Sequence, residues 1–403
     1  MSSPQLPIAP SAAKRLRHDD CWVFRDELIA PVPPVADGEL VELTDQHGAF
    51  VASAWYSRNS HIAARAVSTE PSRAIDRAFL AERIQRAIHR RESIHGTDAK
   101  RLIFSEADGL PGLIVDQYAD SLVLQIRTAG MEGWKSTVID VLRTTLAPKG
   151  ILERSDKEFR DEEGLAPVTQ LLAGTVPERL RIHEDDLQFW VDPYHGHKTG
   201  FYLDQRETRR RIRQLVQPGQ RLLDVCAYTG AFGIGAAARG ARVICVEQNE
   251  SCLALAKENA ALNGVGDRVE FVAGDAFYWL EAHALGRERA DWVILDPPSL
   301  AKTKADALKG RQALHRLLVH ALGLLAPEGT LVLSVCTYHL LGLTEEILRI
   351  AASDQGARLR ILGTILQAED HPWILQMPMT RYLMSWMARR DGSPAASSTN
   401  RSR

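Results

Sequence analysis

The chain has 403 residues, too many for one ordinary domain, and 45% of them are hydrophobic, so two or three packed domains are expected and wholesale disorder is excluded. A formal net charge of −2 does not by itself announce a nucleic-acid partner. No run approaches the roughly 20 apolar residues of a membrane span, and MSSPQLPIAPSAAKRLRHDD lacks the apolar core of a secretory signal, so a cytoplasmic protein is expected.

Residues 1–12 are rich in Pro, Ser and Ala and read as a lead-in. CWVF, ELVELTD, AFVASAWYS and IAARAVS then form short strand-like runs broken by PVPPVADG and DQHG, which carry turn chemistry. A small β-rich domain over 1–70 is expected. PSRAIDRAFLAERIQRAIHRRESI follows with Ile75, Phe79, Leu80, Ile84 and Ile88 at helical spacing, entered through Ser and Pro. RLIFSEADGLPGLIVDQYADSLVLQIR gives strands, WKSTVIDVLRTTL a helix, and ILERSD and RIHEDDLQFWVDP further strands. This predicts an α+β central domain over 71–190.

From about Gln220 the pattern changes. RLLDVCAY, ARVICVEQ, RVEFVAGD, ADWVILDPP and GTLVLSVC are apolar runs ending in polar residues, separated by the helical stretches FGIGAAARG, ESCLALAKENAALNG and ADALKGRQALHRLLVHALGLL. Strands alternating with helices predict a parallel sheet covered on both faces, placed in a domain over 191–390. The small polar residues of 391–403 are expected to be disordered.

In such sheets ligands bind at the carboxyl ends of the strands. The first run leads into TGAFGIG, where Gly230 permits a sharp turn and the following helix offers N–H groups to an anion. The second ends in Glu247, an acceptor suited to ribose hydroxyls, the third in Asp275, suited to an adenine amino group, and the fourth in Asp296-Pro297-Pro298. Any one of these acids could be a helix cap. Four polar markers at four successive strand ends, the turn at Gly230 and these three acids, are harder to obtain by accident. Gly230, Gly233 and Gly235 give G-x-x-G-x-G rather than the dinucleotide G-x-G-x-x-G, which argues against a nicotinamide-dependent oxidoreductase.

LDVCAYTGAFGIGAA, VEQNESCLALAKENAALNG, GDAF and ILDPPSL together resemble the class I methyltransferase motif series. HGHKTGFYLDQRETRR, DGLPGLIVDQYADSLVLQ and the N-terminal WVF narrow this. The chain, over about Leu16 to Met387, is similar to the RlmI-type family of 23S rRNA cytosine-5 methyltransferases, and HKTGFYLDQR is the most specific piece. The resemblance implies a Rossmann-like class I methyltransferase domain, an α+β central domain and a PUA-like RNA-binding domain. It implies S-adenosyl-L-methionine as cofactor, held by Gln205, Arg206, Tyr228, Thr229, Gly230, Glu247, Gln248, Asp275, Ala276 and Asp296. Large-subunit rRNA is the implied partner, without a membrane, and a homodimer is an admitted assembly. Thr199 and Phe201 are implied to border the cofactor pocket and, with Arg209, Arg210 and Tyr338, to meet substrate.

C5 of cytosine is a poor nucleophile. A thiolate added to C6 makes C5 enamine-like, so the chemistry needs a cysteine near the methyl donor and an acid near N3. Cys336, in Ser334-Val335-Cys336-Thr337, matches the family's strand-end cysteine, although the residue before it differs; Asp296 is the implied partner of the base edge. A strand-end cysteine is more often inert than catalytic, and Cys226 reads as packing. Ser299 stands where exocyclic-amine methylases place an aromatic after the two prolines, which argues against amine methylation. Tyr338 and His339 are candidates for stacking or for taking the C5 proton. The alternatives are methylation at uracil C5 or guanine N7, the latter needing no thiol, or RNA binding without turnover.

Other features read blandly. Cys21, Cys226, Cys245, Cys252 and Cys336 are scattered and read as reduced thiols, and no Cys or His pair has zinc spacing, so no metal is expected. His195 and His197 read as loop or strand residues. Lys14, Arg15 and Arg17, and the run Arg206, Arg209, Arg210, Arg211 and Arg213, suit either phosphates or a solvated helix face with Glu207 as partner.

Overall fold

A computed structural model describes residues 3–156, 160–284, 286, 288–301 and 303–392. The tail expected over 391–403 lies outside these from residue 393 on. Two compact units are present. One comprises the chain as far as Asp186 with Val191–Leu203 and Glu369–Thr380; the other comprises Leu187–Trp190, Asp204–Ala368 and the chain from Arg381.

The first unit opens with β1 (Gln5–Pro7), α1 (Pro10–Leu16), β2 (Trp22–Phe24), β3 (Leu40–Thr44), β4 (Phe50–Tyr56) and β5 (Ile62–Ser68). They form a five-stranded sheet in the order β1-β3-β4-β5-β2, over a core containing Leu6, Leu16, Val23, Val41 and Leu43. The DQHG turn works as its residues suggest. The Asp45 carboxylate accepts the His47 and Ala49 N–H groups at 3.0 and 3.1 Å, and Gly48 takes the left-handed conformation at φ 79°.

Next come α2 (Arg77–His89), β6 (Ala99–Phe104), β7 (Leu113–Tyr118), β8 (Ser121–Ile126), α3 (Ala129–Gly133), α4 (Lys135–Leu146), β9 (Gly150–Ser155) and β10 (Val168–Gly174). The sheet order is β10-β9-β8-β7-β6; β8 and β9 run parallel, joined through α3 and α4. Phe79, Leu80 and Ile84 of α2 enter the core beneath it. The helix begins later than its Ser/Pro entry suggests, because Asp76 caps it by accepting the Phe79 N–H at 2.9 Å. Strand β11 (Leu180–Glu184) follows, and Leu187–Trp190 of the next strand, β12 (Leu187–Val191), belong to the second unit.

The second unit is the α/β domain. Its elements are α5 (Arg206–Leu215), β13 (Arg221–Val225), α6 (Ala231–Ala238), β14 (Arg242–Glu247), α7 (Glu250–Leu262), β15 (Val269–Ala273), α8 (Ala276–Ala284), β16 (Ala290–Leu295), α9 (Ala307–Leu324), β17 (Leu325–Val335), α10 (Tyr338–Leu341), α11 (Thr344–Asp354), β18 (Leu359–Leu366) and β19 (Met384–Arg390). The sheet order is β15-β14-β13-β16-β17-β19-β18. The five strands from β13 to β17 are parallel, while β19 is antiparallel to both β17 and β18. Leu223, Val293, Leu295, Leu331 and Leu333 pack with Leu314, Leu317 and Leu318 of α9, so these strands read as continuous apolar runs. The strand order reverses at β13, between β14 and β16, and the crevice at such a reversal is where an α/β sheet takes its ligand.

Candidate cofactor and catalytic site

Beyond β13 the chain makes a tight turn. Cys226, Tyr228 and Gly230 have φ of 62°, 50° and 77°. The left-handed region is uncommon for residues other than glycine, so two of these three must be held there by their surroundings. The Ala227 N–H donates to the Val246 carbonyl (3.1 Å), the Gly230 N–H to the Ala227 carbonyl (2.8 Å), and the Tyr228 N–H to Glu247 Oε2 (2.9 Å). A Cβ at Gly230 would stand 3.2 Å from both Ala256 Cβ and Ile234 Cδ1. The Thr229 hydroxyl, on a residue 2% exposed, has no hydrogen-bond partner, whereas buried hydroxyls ordinarily find one.

Carboxylates stand at the ends of the neighbouring strands. Glu247 ends β14 and is buried. Its Oε2 takes the Tyr228 N–H and its Oε1 the Asn249 N–H (2.9 Å), while a carboxylate offers about four acceptor positions. Capacity therefore remains for ribose hydroxyls. Gln248, beside it, is exposed. Asp275 caps α8 through the Phe277 and Tyr278 N–H groups (2.9 and 3.2 Å), and half-buried Ala276 is the first residue of that helix. Asp296 follows β16 and accepts from Gln205 Nε2 at 3.1 Å. Asp224, within β13, is a carboxylate the sequence did not single out. It is fully buried, accepts the Gly233 N–H at 2.9 Å through Oδ2, and leaves Oδ1 without a partner. Burial, reinforced by the charges of Asp296 and Glu247, pushes its carboxyl up to about 7.

Cys336 follows β17, which pairs with β16 through Leu295 and Leu333, so Cys336 and Asp296 stand just beyond the ends of adjacent strands. Its half-buried thiol lies 3.8 Å from the Pro297 carbonyl oxygen. The Ser299 and Thr337 hydroxyls are 2.8 Å apart, tying the segment after the prolines to the segment after Cys336. Tyr338 is 42% exposed, and its ring centroid lies 5.9 Å from that of His339. Cys226 differs. Burial pushes its thiol far up, and the charges of Asp296, Glu247, Asp224 and Asp275 push it further.

The arginine run is split by the helix period. Arg206, Arg209 and Ile212 are buried along α5, Arg211 is exposed, and Arg210 and Arg213 are half-buried. Arg206 and Arg209 are only 0% and 2% exposed, so a solvated helix face reduces to Arg210, Arg211 and Arg213. Gln205 is buried as well, and its Oε1 accepts from the Ser385 hydroxyl at 3.5 Å. Thr199 and Phe201 belong to the first unit and are buried there. The Thr199 hydroxyl donates to Asp116 Oδ2 (2.5 Å) and lies 2.8 Å from the Tyr118 hydroxyl, which accepts the Phe201 N–H at 3.2 Å. Asp116 also takes both prongs of the Arg101 guanidinium at 2.8 Å.

Among the described residues no cluster of His, Cys, Asp and Glu could hold a metal, and no helix is long and apolar enough to cross a membrane. The orphaned Thr229 hydroxyl, the spare acceptor capacity of Glu247 and the left-handed turn fit a nucleoside ligand with a charged tail. The comparisons agree. Residues 6–69 match the PUA-like domain family, and residues 160–355 match the S-adenosylmethionine-dependent methyltransferase family. Two solved structures share the fold. One is a methyltransferase from Streptococcus mutans, with TM-score 0.82 and 19% identity, covering 96% of this chain and 100% of that one. The other is a methyltransferase in complex with SAH, with TM-score 0.81 and 20% identity at the same coverage. The protein is thus an S-adenosylmethionine-dependent methyltransferase with an N-terminal PUA-like domain.

Its relatives narrow the class. The ribosomal RNA large subunit methyltransferase I of Yersinia pseudotuberculosis serotype O:1b (strain IP 31758) and that of Yersinia pestis are each 35% identical over 396 residues, covering 96% of this chain and 99% of theirs. The chain belongs to the ribosomal RNA large subunit methyltransferase I family.

Proposed function

We propose that the protein methylates C5 of a cytosine in large-subunit rRNA, in the cytoplasm, through a bond between Cys336 and C6 of the base. Relatives named for large-subunit rRNA support the substrate. The observation that carries the chemistry is the pairing of a half-buried thiol at the end of β17 with a carboxylate at the end of β16, the adjacent strand. S-adenosylmethionine supplies an activated methyl group. The chain does the rest. Glu247, the Thr229 hydroxyl and the turn around Gly230 hold the cofactor, with Asp275 and Ala276 at its adenine end and Gln205 steadying Asp296. Asp296 hydrogen-bonds N3 or N4 of the cytosine and stabilises the charge that develops there. The Cys336 thiolate adds to C6, which makes C5 nucleophilic. After C5 is methylated its proton passes to a base, Tyr338 or His339 being nearest in sequence, and the C6–S bond breaks to release the thiolate.

The domain over 1–70 and the accessible arginines of α5 supply phosphate contacts in this reading. The target base must leave its stack, which is easiest in loops and single strands. Mapping the methylated bases of rRNA from cells lacking the protein tests it. Loss of one 5-methylcytosine from the large subunit is expected; loss of a 7-methylguanine or a 5-methyluridine instead would overturn the assignment.

A further inference from the structure

We infer that Asn259 is a positioning residue for the cofactor, a single buried carboxamide that ties the Thr229 carbonyl of the turn to strand β12. Asn259 lies in α7, 0% exposed. Its Oδ1 accepts the Trp190 N–H at 2.7 Å, and its Nδ2 donates to the Thr229 carbonyl at 3.3 Å and the Trp190 carbonyl at 3.5 Å. The amide orientation is dictated by its partners, because an N–H needs the oxygen and two carbonyls need the nitrogen. One turn earlier on the same helix face, Ala256 Cβ is 3.2 Å from where a Gly230 Cβ would stand. Helix α7 thus backs the turn at two points, by an approach at Gly230 that leaves little room for a side chain and by a hydrogen bond at Thr229.

The turn needs such support, since Tyr228 and Cys226 hold left-handed conformations that few residues adopt unaided. Fixing the Thr229 carbonyl fixes the peptide that carries the orphaned Thr229 hydroxyl, itself the group best placed to meet the cofactor. Asn263, one helical turn on, supplies an internal control. It holds the same strand with the same chemistry: its Oδ1 accepts the Gln188 N–H at 3.0 Å and its Nδ2 donates to the Gln188 carbonyl at 2.6 Å. Its hydrogen bonds reach the strand and its own helix but not the turn.

The decisive variants are Asn259→Asp and Asn263→Asp, with SAH affinity measured by calorimetry and stability by thermal unfolding. Each keeps an acceptor for the strand N–H and sets a second carboxylate oxygen against a carbonyl. If Asn259 positions the cofactor, Asn259→Asp weakens SAH binding at least about tenfold, while Asn263→Asp lowers Tm comparably and leaves affinity within about twofold. Unchanged affinity in folded Asn259→Asp, or an equal loss in Asn263→Asp, overturns the inference. Should Asn259→Asp not fold, Asn259→Ala is read by the same criteria. Amide exchange in the unaltered protein offers a readout that needs no variant. SAH saturation should slow exchange at Trp190 together with Tyr228 and Gly230, and exchange at Trp190 that ignores SAH overturns the coupling.

Discussion

Two cysteines, both half-buried, stand just past the ends of parallel strands of one sheet, in different surroundings. Cys226, after β13, is held at φ 62° in the turn, and burial plus four carboxylates oppose its ionisation. Cys336, after β17, has its thiol 3.8 Å from the Pro297 carbonyl oxygen and lies two residues before the exposed Tyr338. Position at a strand end therefore does not make a nucleophile. The charges around the thiol and the room for a base to reach it decide. In the proposed reading the turn that holds Cys226 serves the cofactor, and the segment that holds Cys336 meets the substrate.

That division can be pressed from the cofactor side. Glu247→Ala removes an acceptor that also anchors the Tyr228 N–H. A charged hydrogen bond is worth roughly 1.5–3 kcal/mol, so SAH affinity should fall by about 10- to 150-fold in calorimetry. Unchanged affinity would remove Glu247 from the site.

Asp224 offers a smaller effect with a definite sign. Its carboxyl is raised by burial, then by Asp296 and Glu247, from an ordinary 3.8 to about 7. The folded state prefers it neutral, so its contribution to stability is complete below about pH 3.8 and is lost as pH rises towards 7. Asp224→Asn, which keeps an acceptor for the Gly233 N–H, should flatten the decline in Tm between these pH values and raise Tm at pH 8 by several degrees. A profile that still declines as in the unaltered protein would mean that the carboxyl does not titrate there.

The smallest effect concerns RNA, remote from both cysteines. Arg210→Gln with Arg211→Gln should reduce the slope of log affinity for rRNA fragments against log salt by about 0.7 for each phosphate no longer neutralised. Arg209→Gln, at a buried position, should instead lower Tm. An unchanged slope in the double variant would leave those two arginines as a solvated helix face.

The parallel sheet is legible in the sequence because burial on both faces leaves continuous apolar runs between helices, as in RLLDVCAY and ADWVILDPP. Strands β18 and β19 are not. LRILGTIL is an edge strand exposed along most of its length, so no core face stamps a pattern on it. The strand-end acids are legible because α/β sheets bind ligands there, but Asp224 is not, since its role depends on the distant Gly233 and on neighbouring strands. Thr199 is marked by resemblance alone, and nothing local discloses its bond to Asp116, 83 residues away. Arg209 is mistaken for a solvated residue when charge alone is counted; the spacing of Arg206, Arg209 and Ile212 places all three on one buried face. Asn259 leaves a faint signal, a polar residue among the apolar positions of ALAKENAAL.

The most direct test of the division between the two cysteines is covalent trapping on RNA carrying 5-fluorocytosine at the target, read by mass spectrometry of the protein–RNA adduct. Fluorine cannot leave as the C5 proton does, so the adduct persists. The unaltered enzyme and Cys226→Ala should both trap, with the bond at Cys336, and Cys336→Ala should lose trapping and turnover while keeping SAH affinity. Methylation at a normal rate by Cys336→Ala, or an adduct mapped to Cys226, would contradict the account.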